Sequence, residues 1–251
     1  MRQSSDITYK IHGHDQQFVE VFLNPGEAVT AENGTMMFFQ PGIQMDTRIS
    51  DGSEQHSGIF GSIMGAAKRK MSGEDVFLGY FENKSQRQAS VAFAATYPGS
   101  IIPVDLSYCK GHVMCQRGAF LCSAKGVAIS VGLTKRIGAG LFGGEGFILQ
   151  SLKGDGITFL HAGGSITERT LADGEKIYID TGSLVAFEAS MDFNVQLVAG
   201  MSNMMFGGDE LFLSTLTGPG KVWIQSLPFP RLTLSLYHKM QELAPKKRKK
   251  K

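Results

Sequence analysis

The sequence predicts an all-β protein made of three tandem units and a short C-terminal helix. Two patterns lead to this fold class. In three segments apolar and polar residues alternate around a turn, and at three other places a glycine opens an apolar run. The composition agrees: 31 glycines, 17 phenylalanines and only 8 prolines among 251 residues are typical of short strands joined by tight turns.

The three alternating segments carry the pattern of a β-hairpin, with a period of two on each side of a break. They are residues 209–230, 144–162 and 74–94. The clearest copy, 209–230, breaks at Gly218-Pro219-Gly220, and the second breaks at Gly154-Asp155-Gly156. We expect each segment to fold as two strands paired with each other.

The three glycines are Gly34, Gly118 and Gly182, and each follows an alternating strand and a turn. The distance from the glycine to the first phenylalanine of the next alternating segment is 43, 29 and 30 residues. Because the last two distances agree, we predict three repeats and an insertion in the first. The predicted units are 1–97 with the insertion in 48–70, 98–163, 164–236, and a helix with a basic tail over 237–251.

The C-terminal helix is predicted from Leu236, Met240 and Leu243, which fall on one helical face within 235–243. Pro245 ends it, and six basic residues follow. Without the charges of those six residues, the formal net charge of +2 becomes −4. The body is therefore mildly acidic and has no overall nucleic-acid signature.

Five motifs resemble the altered-inheritance-of-mitochondria family. They are AENGTMMFF, PGSIIPVDL, RGAFLCSAKGVAIS, DTGSLVAFEASMDF and LTGPGKVWIQSLPFPRL. The likeness spans roughly residues 6–236. It implies a fold like that of the tryptophan RNA-binding attenuation protein: three tandem β-sandwich, double-stranded β-helix units around a pseudo-threefold axis. The family's biochemical function is unknown. RNA binding does not carry over, because the RNA-contacting residues of the attenuation protein have no match here.

No catalytic, cofactor or metal site is predicted. Residues 138–143 match GxGxxG, but a strand is predicted to follow, where a dinucleotide site needs a helix. His12 and His14 share a strand face without a third ligand, so we interpret them as solvated.

Three acidic residues stand at equivalent places before the alternating segments: Glu74, Glu145 and Asp209. We interpret them as turn-capping groups, with cation binding as the alternative.

Cysteine usage and hydropathy bear on the compartment. Cys109, Cys115 and Cys122 have no CxxC spacing, so we expect buried free thiols and a reducing compartment. Neither a secretory signal nor an apolar run of about 20 residues is present. We expect a cytoplasmic protein if the source is bacterial, and a mitochondrial or nuclear one if it is eukaryotic.

The strongest functional signal is the basic tail. Its candidate polyanion-binding residues are Lys246, Lys247, Arg248, Lys249, Lys250 and Lys251. They would suit nucleic-acid phosphates or anionic lipid, and the sequence also looks like a nuclear-import signal. The remaining alternative is a solvated tail without a specific partner.

A second candidate surface lies in glycine-rich loops before the alternating segments. Its candidate contact residues are Phe60, Met64, Leu141, Phe142, Met204, Met205 and Phe206. Exposed together they would suit a protein partner, a membrane or self-association; folded inward they would plug the axis. We therefore expect a non-enzymatic binding or scaffold protein. The alternative is a small-molecule-binding protein or enzyme with a site between repeats.

Overall fold

A computed structural model describes residues 4–50, 76–135, 147–197 and 212–243. These ranges contain nineteen strands, two short 3-10 turns (Leu106–Cys109 and Thr181–Ser183) and one α-helix, α1, Phe229–Leu243. The predicted all-β class with a short C-terminal helix is confirmed. The strands are β1 Thr8–His12, β2 Phe18–Leu23, β3 Ala28–Glu32, β4 Met36–Phe39, β5 Ile43–Ser50, β6 Val76–Asn83, β7 Ala89–Ala94, β8 Ser100–Asp105, β9 His112–Gln116, β10 Phe120–Ala124, β11 Ala128–Lys135, β12 Phe147–Lys153, β13 Ile157–Ala162, β14 Ile166–Leu171, β15 Lys176–Asp180, β16 Leu184–Glu188, β17 Asp192–Leu197, β18 Phe212–Thr217 and β19 Gly220–Gln225.

The strands form four sheets in which neighbours run antiparallel. Two sheets have six strands, in the orders β5-β6-β3-β10-β13-β8 and β11-β12-β9-β16-β19-β14. The other two are smaller, with the orders β1-β2-β7-β4 and β15-β18-β17. The large sheets arise because β3 pairs with β10, and β9 with β16. Strands distant in the chain thus join into continuous sheets.

The pairing order recurs along the chain. One set of three strands reads β2-β7-β4, β8-β13-β10 and β14-β19-β16, and the other reads β5-β6-β3, β11-β12-β9 and β17-β18-β15. The predicted boundaries after residues 97 and 163 fall between β7 and β8 and between β13 and β14. The division into domains and the pseudo-threefold axis stay predictions.

The three predicted hairpins are wrong, although the strands exist. β18 pairs with β15 and β17, whereas β19 pairs with β14 and β16. The same separation holds for β6 and β7, and for β12 and β13. Each turn therefore carries the chain from one sheet to another. Alternation of apolar and polar residues shows only that one face of a strand is buried. The same alternation occurs when two consecutive strands lie in different sheets, so it does not predict that they pair with each other.

The sheet that contains β18 and the sheet that contains β19 pack against each other in the core. Leu216 of β18 and Val222 of β19 lie in one apolar cluster although they belong to different sheets. Phe187 and Phe193 stack in the same cluster with ring centroids 4.9 Å apart. Along β18 the predicted alternation is confirmed, because Phe212, Ser214 and Leu216 are buried and the residues between them are half-buried. One face of β18 is therefore buried in the core, and the other is half-buried.

The turn between β18 and β19 depends on a glycine. The backbone N–H of Gly218 donates to the carbonyl of Glu175 at 2.9 Å. A Cβ atom on Gly218 would lie 2.3 Å from the carbonyl oxygen of Ala172, closer than van der Waals contact allows. A side chain at this position would therefore push two backbone segments apart.

We predict that Gly218→Ala lowers the free energy of unfolding by more than about 1 kcal/mol. Gly174→Ala is the matched control, since Gly174 has a φ of +70° and nothing within 4 Å of an added Cβ. The control should cost about 1 kcal/mol from backbone strain alone. Urea denaturation midpoints measure both variants. A midpoint for Gly218→Ala equal to that of the unaltered chain would show that the close approach at Gly218 relaxes without cost.

Candidate interaction site

Beyond its first turn, helix α1 presents an apolar face that nothing in the described structure covers. Phe229, Leu232, Leu236, Met240 and Leu243 follow one another at helical spacing along one side. None of the fifteen helix residues is buried, and Leu236, Met240 and Leu243 are 56%, 71% and 76% exposed. An amphipathic helix with this exposure is a surface for binding something apolar.

The helix begins six residues earlier than the 235–243 predicted from the sequence. In the sequence, Pro228 and Pro230 indicate the end of the preceding strand. Proline is nevertheless compatible with the first turn of a helix, because the backbone N–H groups of that turn have no intrahelical partners. The carbonyl of Pro228 accepts from the N–H groups of Arg231 and Leu232. The prolines therefore start the helix here.

The first turn of α1 is fixed to the β body by two contacts. The ring of Phe229 stacks on Tyr97 at 4.5 Å between centroids, with 21° between the planes. Tyr97 in turn meets His161 of β13 edge-on at 4.5 Å. The guanidinium of Arg231 pairs with the carboxylate of Asp180, at the end of β15. These contacts set where the helix leaves the body.

We call the contacts of Phe229 with Tyr97, and of Tyr97 with His161, the anchor of α1. Within this anchor, His161 has an unusual pKa. Its side chain is 2% exposed, and Nδ1 is buried without a hydrogen-bond partner. Burial disfavours the imidazolium and lowers the pKa of His161 to about 4. Burial also raises the pKa of Tyr97. A Cβ atom on Gly99 would lie 2.6 Å from Nε2, so glycine is needed there.

The shifted pKa of His161 predicts acid sensitivity. In the unfolded state this histidine binds a proton at its ordinary pKa of 6.5, whereas in the folded state it resists protonation down to about 4. Stability should therefore fall as the pH drops through this window, by more than about 1 kcal/mol. His161→Gln removes the titrating group and should flatten the dependence. Urea midpoints between pH 7 and pH 4 make the test, and parallel profiles for the two proteins would contradict it.

A pocket of about 300 Å³ lies beside the anchor, lined by Gln16, Gln17, Phe18, Met37 and residues 94–99. Tyr97 is the one lining side chain that ionises. The amide oxygen of Gln17 already accepts from the N–H of Ile101 at 2.8 Å. The lining therefore contains no acid–base pair or activated nucleophile.

The candidate residues named from the sequence lie outside the described residues. This holds for Lys246, Lys247, Arg248, Lys249, Lys250 and Lys251, and for Phe60, Met64, Leu141, Phe142, Met204, Met205 and Phe206. It also holds for Glu74, Glu145, Asp209 and the GxGxxG match at 138–143. The strand expected after that match is present as β12.

The remaining histidine and cysteine predictions fall on described residues. The prediction that His12 is solvated is wrong, because its side chain is half-buried, with Nε2 3.1 Å from Oε2 of Glu20 and the ring stacked on Phe18. His14 is exposed, as predicted. The three cysteines are free and buried, as predicted. Burial raises the pKa of Cys109 to about 11, so its thiol is a weak nucleophile. Across the described ranges, no three His, Cys, Asp or Glu side chains group as metal ligands.

Comparisons with known proteins identify the family. A family model described as Mitochondrial biogenesis AIM24 matches residues 9–227. The chain belongs to this family. An uncharacterized protein of Streptococcus pyogenes serotype M6 is 30% identical to this AIM24-family chain over 211 residues, which cover 83% of this chain and 81% of the relative.

A solved structure shares the fold of this AIM24-family chain. A crystal structure of a Streptococcus pyogenes protein superposes with a TM-score of 0.72 at 23% identity. The match covers 93% of this chain and all of that chain. Among the described residues, no helix has the length and apolar character needed to cross a bilayer.

Proposed function

We propose that this AIM24-family chain is a non-enzymatic scaffold protein that binds anionic membrane surfaces through α1 and the basic segment after it. One observation carries the proposal: the uncovered apolar face of α1 is followed, after Ala244, by PKKRKKK. Amphipathic helices bind in the plane of the membrane interface by combining apolar burial with attraction to anionic lipid.

The binding free energy expected from α1 and the basic tail together is larger than that from either one alone. Burying Leu236, Met240 and Leu243 would each contribute up to about 1.5 to 3 kcal/mol, less what α1 loses on being immobilised. Each basic residue near an anionic surface adds about 1 kcal/mol, and salt screens it. The body carries a formal charge of −4, so attraction to anionic lipid must come from the tail. The first turn of α1 is anchored, which would hold the body close to the surface.

We further propose that the body consists of three units around a pseudo-threefold axis, as the family resemblance implies. The recurring strand order supports this. The three apolar loop segments fall between corresponding strands: β5 and β6, β11 and β12, and β17 and β18. A threefold arrangement would bring Phe60, Phe142 and Phe206 to one end as a second contact surface.

Sedimentation with lipid vesicles tests the proposed function. The full chain should bind vesicles containing phosphatidylserine, and the double variant Leu236→Ser/Met240→Ser should bind at least about tenfold more weakly because it lacks apolar burial. Deletion after Ala244 should remove the dependence on anionic lipid and salt. Ser235→Ala, which lies off the apolar face of the same helix, is the matched control and should bind like the unaltered chain.

Other outcomes identify other functions. Equal binding by the helix variant and the unaltered chain would contradict the role of α1. Binding to single-stranded RNA or DNA that falls steeply with salt, without vesicle binding, would make the tail a nucleic-acid contact instead.

A further inference from the structure

Strand β4 is exposed along its whole length, unlike the two strands that correspond to it. Met36, Met37, Phe38 and Phe39 are all exposed, whereas each residue of β10 and β16 is buried. β10 lies between β13 and β3, and β16 lies between β19 and β9. In the described structure β4 pairs with β7 alone. β4 therefore differs from β10 and β16 both in its exposure and in having no described neighbour on one side.

A shared irregularity shows that the three strands correspond. Each has a register shift at the same place in its pairing: between Met36 and Phe38, between Phe120 and Cys122, and between Leu184 and Ala186. Gly34, Gly118 and Gly182 each stand two residues before the shift begins. Bulges are specific features of a strand pair, so three at matching positions indicate equivalent strands.

The strand that would cover β4 is equally identifiable. β10 is covered by β3 and β16 by β9, and the corresponding strand in the last third of the chain is β15. β15 pairs with β18 on one side and has no described strand on the other. Its Tyr178 is 61% exposed. Within the described ranges, one chain therefore carries two open sheet edges that match each other and are not paired together.

We propose that β15 of one copy pairs with β4 of a second copy, so that chains assemble head to tail. This pairing replaces the junction between β15 and β4 that a closed threefold body would form within one chain, and it rests on the observation that the two edges of one chain are not paired in the described structure. The two internal junctions fix the register. Cys122 lies opposite Ala31, and Ala186 opposite Cys115. By the same offset Phe38 lies opposite Ile179, and Phe39 opposite Tyr178, in antiparallel pairing.

The chemistry of both edges suits this partner. The backbone N–H of Gln40 donates to Ser90 of β7, so by strand alternation the N–H of Phe39 points to the open side. Aromatic pairs and aromatic–β-branched pairs across strands, as at Phe39–Tyr178 and Phe38–Ile179, are among those that stabilise sheets. β4 contains neither lysine nor proline, the residues that commonly protect an exposed edge against such pairing, and the lysine of β15, Lys176, lies beyond the residues that face β4 in this register.

Cysteine cross-linking tests the register. The double variant Phe39→Cys/Tyr178→Cys, oxidised and run on a denaturing gel without reductant, should give a ladder in multiples of 27.2 kDa that reductant collapses. Each single variant should give no ladder, because head-to-tail contacts never place a residue against itself. The off-register control Phe39→Cys/Lys176→Cys should cross-link far less. The native cysteines are buried and remain in every variant.

Light scattering supplies the second measurement. The unaltered chain should have a mass of two or more times 27.2 kDa, and Phe39→Lys or Tyr178→Lys should reduce it to one chain that still unfolds in a single cooperative transition. A monomeric unaltered chain would overturn the proposal. So would an oxidised double variant that stays monomeric, which would mean that β15 closes on β4 within the same chain, or that the edges do not meet.

Discussion

The pairing of β3 with β10 and of β9 with β16 is the interaction on which the rest of the structure depends. Each junction joins strands from different thirds of the chain, so neither six-stranded sheet exists without it. Small buried side chains meet there: Cys122 faces Ala31, and Cys115 faces Ala186. Cys115 and Cys122 are fully buried at these junctions, so the two thiols act as small apolar side chains of the core. The fold is thus held by contacts between segments far apart in sequence.

That constraint explains which parts of the fold the sequence predicts. The alternation in 209–230 correctly locates β18 and β19, because burial of one strand face leaves a period of two whatever the strand pairs with. The pairing partner is not encoded in the same way. A turn of two residues between alternating strands looks identical whether the strands share a sheet or face each other across a core. Gly218 lies close to the carbonyl oxygen of Ala172, in the connection between β14 and β15. This close approach shows that β18 and β19 belong to different sheets, but it is visible only in the structure.

The same distinction between local patterns and long-range contacts decides which parts of the candidate site can be predicted from the sequence. The apolar face of α1 and the basic segment are local patterns, so sequence reasoning finds them. The anchor at Phe229, Tyr97 and His161 joins three distant segments, and no spacing in the sequence connects them. The exposure of β4 is harder still, because MMFF resembles the buried runs of β10 and β16 in composition. Only its place at the end of the sheet order makes it a surface.

Membrane binding and head-to-tail assembly would reinforce each other. One amphipathic helix with a basic tail binds reversibly, because the loss of translational freedom offsets much of the apolar gain. Linking copies turns each later binding event into an intramolecular one and raises avidity by orders of magnitude. The gain depends on symmetry. A closed ring repeats α1 at the same height around its axis, so every helix can reach one flat surface. An open helical filament turns successive helices away from it. If both proposals hold, a ring is therefore the assembly that suits a planar membrane, and the direction in which α1 leaves the body at Arg231 and Asp180 decides which face of that ring meets the lipid.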